Sequence, residues 1–223
     1  MRTLVLAAHP DDEILGVGGT LLKRVEQGHD VFVAIICDCL SPRNTEEIRL
    51  KVRETSKAIA KKIGVKKLFF ESLGTDTNQR IDELPFSRVI DTLYKIVREV
   101  RPEEIFTHHY SDWNTDHQVI FNATISTTRT FLDVKVKNVY SYEVPSSTEQ
   151  APNLAQYSFI PNKFVDISKY LDKKIELLSM YDTEVYPFPH TRSLEVAKMT
   201  AKLWGAKNNV AAAEAFVVIR EIE

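Results

Sequence analysis

Short apolar runs alternate with longer amphipathic segments through the first two-thirds of this chain, and the spacing predicts strands over 3–8, 31–37, 67–71, 104–109 and 138–144. Between them, residues 14–28, 44–63, 86–100 and 115–130 read as helices. In 48–63, for example, Ile48, Val52, Ile59 and Ile63 fall near one face while lysines and arginines cover the rest. Strands and helices in alternation predict βαβ units around a mostly parallel sheet, an α/β fold flanked by helices. After Pro145 the periodicity lapses, and the turn formers from Ser146 to Asn153 predict a loop. A short strand over 163–167 then leads to a helix beginning near Ser168, a residue type that caps helices well. Pro187-Phe188-Pro189 interrupts regular structure before a helix over 193–205 and a closing strand, Ala215 to Ile219. No repeat, low-complexity tract or linker divides the chain, so 1–223 is expected to be one domain.

Composition narrows the function more than the fold. Lys and Arg total 29 against 31 for Asp and Glu, so no global field favours nucleic acid or an anionic membrane. A small-molecule substrate, recognised locally, is the expectation. No apolar run approaches the ~20 residues that span a bilayer, and the start of the chain lacks the apolar stretch of a secretory signal, which makes a cytoplasmic protein the expected case. A homo-oligomer is compatible with the sequence. The two cysteines, Cys37 and Cys39, share one face of a strand and read as buried thiols rather than a disulfide.

The chemistry concentrates at His9-Pro10-Asp11-Asp12-Glu13, between the apolar run Leu4 to Ala8 and a glycine-rich helix start at Gly16-Val17-Gly18-Gly19. That places it in a strand-to-helix turn at the carboxyl end of a strand, where ligands collect in open α/β sheets. A His-Pro-Asp is more often a polar turn with an Asp cap, but here a second cluster, Asn114-Thr115-Asp116-His117, follows another strand end. His9 and Asp12 are of the types that bind a catalytic zinc, and His117 is the best candidate for a third ligand, an expected set with a position left for water. Asp11 is then free to act as general base, and Asp116 to orient an imidazole. Asn114 is placed to cap the helix that carries His117. The glycines do not make a dinucleotide site, because bulky and acidic groups stand where the first glycine must follow the strand. They let the first helix pack close to the sheet instead. His108 and His109 end a strand, so at most one faces the site; Asp112 and Trp113 are candidates for substrate contact, and Tyr181, Tyr186 and His190 for the pocket wall or its underlay.

Both clusters resemble those of the PIG-L / LmbE-like zinc deacetylases: Ala8 to Glu13 with Gly18-Gly19-Thr20, and Asp112-Trp113-Asn114-Thr115-Asp116-His117-Gln118. Further blocks match in order: Arg53-Glu54, Leu73-Gly74-Thr75-Asp76, Tyr142-Glu143-Val144, and Arg192-Ser193 through Ala213-Glu214-Ala215-Phe216. The resemblance implies a Rossmann-like sheet and removal of an N-acetyl group from an N-acetylglucosamine-type amino sugar or its conjugate. It implies zinc (Zn²⁺) on His9, Asp12 and His117, Asp11 as base, and Arg53 and Asp76 on sugar hydroxyls. Arg49 competes with Arg53 for that place in register. Many members carry histidine where this chain has Asn114, which cannot shuttle a proton; Asn114 is then expected to assist positioning, with Asp11 serving as acid and base. A sugar-binding protein of weakened turnover and a hydrolase of a different amide are the competing expectations.

Overall fold

The computed structural model describes residues 1–37, 45–74 and 80–223. Cys39, Asp76 and the predicted helix start at Asn44 lie outside them. The five strands β1 (Arg2–Ala7), β2 (Asp30–Ile35), β3 (Lys67–Phe70), β4 (Glu104–His108) and β5 (Asn138–Tyr142) run parallel. Two more, β6 (Lys163–Asp166) and β7 (Ala213–Arg220), complete a seven-stranded sheet of order β3-β2-β1-β4-β5-β7-β6, with β7 antiparallel to both its neighbours. The helices are α1 (Asp12–Glu26), α2 (Glu46–Ile63), α3 (Phe86–Val100), α4 (Thr115–Thr127), α5 (Leu171–Leu178) and α6 (Leu194–Lys207).

The alternation of β1 divides the core in two. Val5 and Ala7 pack with Ile14, Val17 and Leu21 of α1, Val52 and Ile59 of α2, and Leu177 and Ala197 of α5 and α6. Leu4 and Leu6 face the opposite layer, with Val89, Leu93 and Val97 of α3 and Ile120 of α4. Buried on both faces, the central strands are therefore continuous apolar runs, as parallel sheets require. The chain winds from β1 outward through β2 and β3, then crosses to β4 on the other side of β1. The turns leaving β1 and β4 accordingly diverge at a topological switch point, the crevice where open α/β sheets bind ligands.

Local chemistry accounts for both ends of α2. Thr45 Oγ1 accepts from Ile48 N at the start of α2, and Gly64 ends that helix at φ 90°, a left-handed conformation that glycine adopts freely. The close packing expected of the α1 glycines is present: a Cβ on Gly16 would run into the Tyr142 ring. Two expectations need correction. The helix predicted to 130 stops at Thr127, where the Thr127 and Thr128 hydroxyls both donate to Thr124 O and compete with the helical ladder. Ser168 does not cap α5, which begins at Leu171; its hydroxyl donates to Asp166 Oδ1 and accepts from Ala212 N, binding β6 to the start of β7.

Candidate metal centre

The site is built from the two diverging turns. One carboxylate oxygen, Asp12 Oδ2, stands at its middle. It accepts from His9 N at 2.8 Å, which closes the β1–α1 turn, and it lies 3.6 Å from His9 Nδ1, 3.4 Å from His117 Nε2 and 3.5 Å from His108 Nε2. Ligating atoms of His9, Asp12 and His117 all fall within 4.8 Å of one another.

Each of the two imidazoles turns its remote nitrogen to a second carboxylate. His9 Nε2 is 2.9 Å from Asp116 Oδ2, and His117 Nδ1 is 3.2 Å from Asp112 Oδ2, close enough for an ion pair although without hydrogen-bond geometry. Asp116 itself is held by Asp82 N, and Asp112 by Asn114 N and the Thr148 hydroxyl. Carboxylates in this place fix the tautomer and orientation of metal-binding histidines. The donor set fits a divalent cation, because two nitrogens and one oxygen converge and both ring nitrogens of the buried His117 lack a hydrogen-bond partner among the described residues.

Charges in the protein without metal follow from this crowding. Burial disfavours a charge on His117, but Asp12 and Asp112 outweigh it and raise its pKa to about 9. His9 is likewise raised well above its ordinary value, the hydrogen bonds to Asp116 and Asp12 overcoming burial. Asp12 is held well below the usual carboxylate range, since His117, with the His9 ring beside it, more than offsets its desolvation. His108 is pushed well down by burial and by the neighbouring His117. It is neutral, and its Nε2 accepts from Ala8 N while its ring stacks on His117 at 3.9 Å between centroids.

Asp11 occupies the N-cap position of α1, yet its side chain makes no cap hydrogen bond. A residue serving only as a helix cap would make one. Instead Asp11 Oδ2 lies 3.1 Å from Arg192 Nη1, and the buried carboxyl is raised well above its ordinary value by desolvation, against the pull of Arg192. Behind it, Glu13 Oε2 accepts from Asp11 N and Glu13 Oε1 accepts from the Tyr181 hydroxyl.

The other residues singled out in the sequence are distributed around this centre. Asn114 caps α4 through Oδ1, which accepts from Asp116 N. Of the two strand-end histidines, His108 faces Asp12 and His109 is turned away to Ser141 Oγ. Asp112 is fully buried against His117, so the expectation that it touches substrate is corrected; Trp113 beside it is 61% exposed. Tyr181 is buried under the turn, whereas the Tyr186 and His190 rings meet at a tilt near the surface. Arg53 reaches Phe70 O at 3.5 Å from over the Phe70 ring, and Arg49 pairs with Glu46 within its own helix. The residue that sequence reasoning passed over is Arg192, quoted only within a family block; nothing in its local pattern ties it to a turn so far away in sequence.

The chain is 25% identical over 201 residues to the diacetylchitobiose deacetylase of Thermococcus kodakarensis, a match covering 82% of this chain and 70% of that protein. Its fold resembles that of the N,N'-diacetylchitobiose deacetylase from Pyrococcus horikoshii with a TM-score of 0.77, at 22% identity, over 98% of this chain and 84% of the other. It resembles equally the 4-carboxy-2-hydroxymuconate hydratase GalB from Pseudomonas putida, with a TM-score of 0.75 at 22% identity, over 100% and 98% of the two chains. One fold thus carries two chemistries, and the fold alone does not choose between them. The family model described as PIG-L, GlcNAc-PI de-N-acetylase, matches residues 4–128, more than half the chain and all of both turns. This protein belongs to the PIG-L family of N-deacetylases, hydrolases of amide bonds.

Proposed function

We propose that this protein hydrolyses the N-acetyl group of an N-acetylglucosamine-type amino sugar or its conjugate, releasing acetate and a free amine. The observation that carries the proposal is the convergence of His9, Asp12 and His117 within 4.8 Å beside an Asp11 that declines its cap hydrogen bond. His9 Nδ1, Asp12 Oδ2 and His117 Nε2 are the atoms assigned to zinc, with Asp116 and Asp112 orienting the two rings. Bound there, a divalent cation supplies Lewis acidity, polarising an amide carbonyl and bringing the pKa of water to about 7. Asp11 accepts the proton of the attacking water and returns it to the leaving nitrogen, one carboxyl acting as base and then acid. Asn114 spends its side-chain oxygen on the cap of α4 and so supports His117 in position without moving a proton. Arg53, and Asp76 outside the described residues, are assigned to sugar hydroxyls on the family resemblance. The relatives named for diacetylchitobiose support the substrate class.

The test is acetate release by purified zinc-loaded protein from N-acetylglucosamine and N,N'-diacetylchitobiose, with and without a chelator. Asp11→Asn should retain stoichiometric zinc while losing turnover by roughly 10²–10⁴-fold. A second reading, a sugar-binding protein of weakened turnover, is favoured by the Asn114 geometry alone; sugar binding by a zinc-loaded protein that releases no acetate would establish it and end the first.

A further inference from the structure

The backbone of Asp11 is fixed from every side. Its φ of 98° lies in the left-handed region, its carbonyl accepts from Ile14 N and Leu15 N, and its N–H donates to Glu13 Oε2. Non-glycine residues in that region persist where their surroundings over-determine them, and such positions cluster at active sites. The side chain, by contrast, has one partner among the described residues: Arg192, 181 positions away, whose Nη1 lies 3.1 Å from Asp11 Oδ2. Oδ1 has none among them.

Arg192 is itself anchored. The same Nη1 lies 3.1 Å from Glu184 Oε2, and Arg192 N donates to His190 Nδ1. The next residue, Ser193, is the N-cap of α6, its Oγ accepting from Val196 N and its N–H donating to His190 O. The guanidinium therefore projects from the tethered start of a helix rather than from a loose loop. Its Nε is buried without a hydrogen-bond partner among the described residues, so the side chain is not saturated by the contacts it makes there.

We infer that Arg192 is the positioning residue for Asp11: it holds Oδ2, selects one carboxylate orientation, and leaves Oδ1 to meet the proton of the reactant. This assignment rests on the hydrolysis proposed above. A base must come within hydrogen-bond reach of the proton that it takes, and a misplacement of about 1 Å costs roughly 10²-fold in rate. Arg192 acts through Asp11, not on the substrate, so its loss should fall on kcat rather than KM. The simple alternative is a cation that merely neutralises a buried carboxylate, which predicts lost stability with unchanged kinetics.

The experiment compares wild type with Arg192→Gln, Arg192→Lys and Arg192→Gly, each zinc-loaded, for acetate release, zinc content and Tm. Arg192→Gln should lower kcat by roughly 10²-fold with KM within threefold of wild type and zinc stoichiometry intact. Arg192→Lys should recover part of that loss, and guanidinium ion should restore turnover to Arg192→Gly. A kcat within threefold of wild type in Arg192→Gln, a change confined to KM, or no rescue by lysine or guanidinium would overturn the inference. Crystal structures of metal-free wild type, Arg192→Lys and Arg192→Gln add a readout independent of activity. The Asp11 carboxylate should stay in place in Arg192→Lys and turn in Arg192→Gln; an unmoved carboxylate in Arg192→Gln defeats the positioning role. If wild type releases no acetate from any sugar, the hydrolysis reading fails, while the crystal comparison still decides what Arg192 does.

Discussion

Asp112 Oδ2 stands 3.2 Å from His117 Nδ1, in a position with no exposure to solvent. Between them these two side chains settle which nitrogen of His117 faces Asp12. Asp112→Asn keeps the shape and the hydrogen bond to Asn114 N but removes the charge behind the imidazole. It should weaken zinc binding by about 10–100-fold, the usual cost of losing a carboxylate behind a ligating histidine. Competition against a chromophoric chelator measures it. An unchanged affinity would mean that Asp112 serves the loop through Thr148 and not the metal site.

The stability of the metal-free protein and the increment that zinc adds to it should respond to pH in opposite directions. The His117 pKa is raised in the fold to about 9 from an ordinary 6.5. A raised folded-state pKa gives stability that is fully present below about 6.5 and lost as pH climbs through about 9. Metal binding requires the neutral ring, so protons compete with zinc over the same interval and affinity rises with pH. Tm of the metal-free protein should fall between pH 6.5 and 9, while the increment added by zinc grows. A zinc increment that shrinks with rising pH would show that His117 is not a ligand.

Much of this site was legible because its residues sit at predictable places in a repeating architecture. The apolar run before His9 and the strand before His117 announce strand ends, and adjacent parallel strands bring two such ends together: β1 and β4 are neighbours with Val5 opposite Phe106. The alternation that sends His108 and His109 to opposite faces is likewise a property of any strand. What could not be read is contact between side chains that no period relates. Arg192 reaches Asp11 across 181 residues, and Lys174 reaches Leu15 O of α1 from α5. Ser168 was misjudged for a related reason: a residue type that caps helices is also one that ties a strand end, and only the fold decides between them.

The Lys174–Glu214 pair is a second structural commitment. Lys174 Nζ donates to Leu15 O at 2.8 Å and to Glu214 Oε1 at 2.7 Å, and the Glu214 oxygens accept from Gly19 N and Thr20 N. The ion pair is thus inserted among the backbone groups of α1, the helix that starts at Asp12 with Asp11 as its N-cap. Lys174→Met leaves a buried carboxylate without its cation and should cost about 3–5 kcal/mol in a denaturant titration, with Glu214→Gln in the same chain recovering part of the loss. A cost below about 1 kcal/mol would place Glu214 in contact with water.

Asn114 separates a structural duty from a chemical one. Its Oδ1 accepts from Asp116 N at 3.0 Å, and the helix that it caps carries His117 in its first turn. Asn114→Ser retains a capping oxygen, whereas Asn114→Ala removes it at a cost of about 0.5–2 kcal/mol, or roughly 2–4 °C in Tm per kcal/mol for a chain of this length. If capping is the whole of its contribution, the serine variant keeps both Tm and kcat, and the alanine variant loses Tm while its zinc-loaded kcat stays within about threefold. Asn114→His gives up the preferred cap but adds a group that can carry a proton, so it should lower Tm as alanine does. Thermal unfolding and acetate release measured on the three variants distinguish the roles. A collapse of kcat in both Ser and Ala variants with zinc retained would show that the Asn114 amide itself touches the reacting groups, beyond its service to α4.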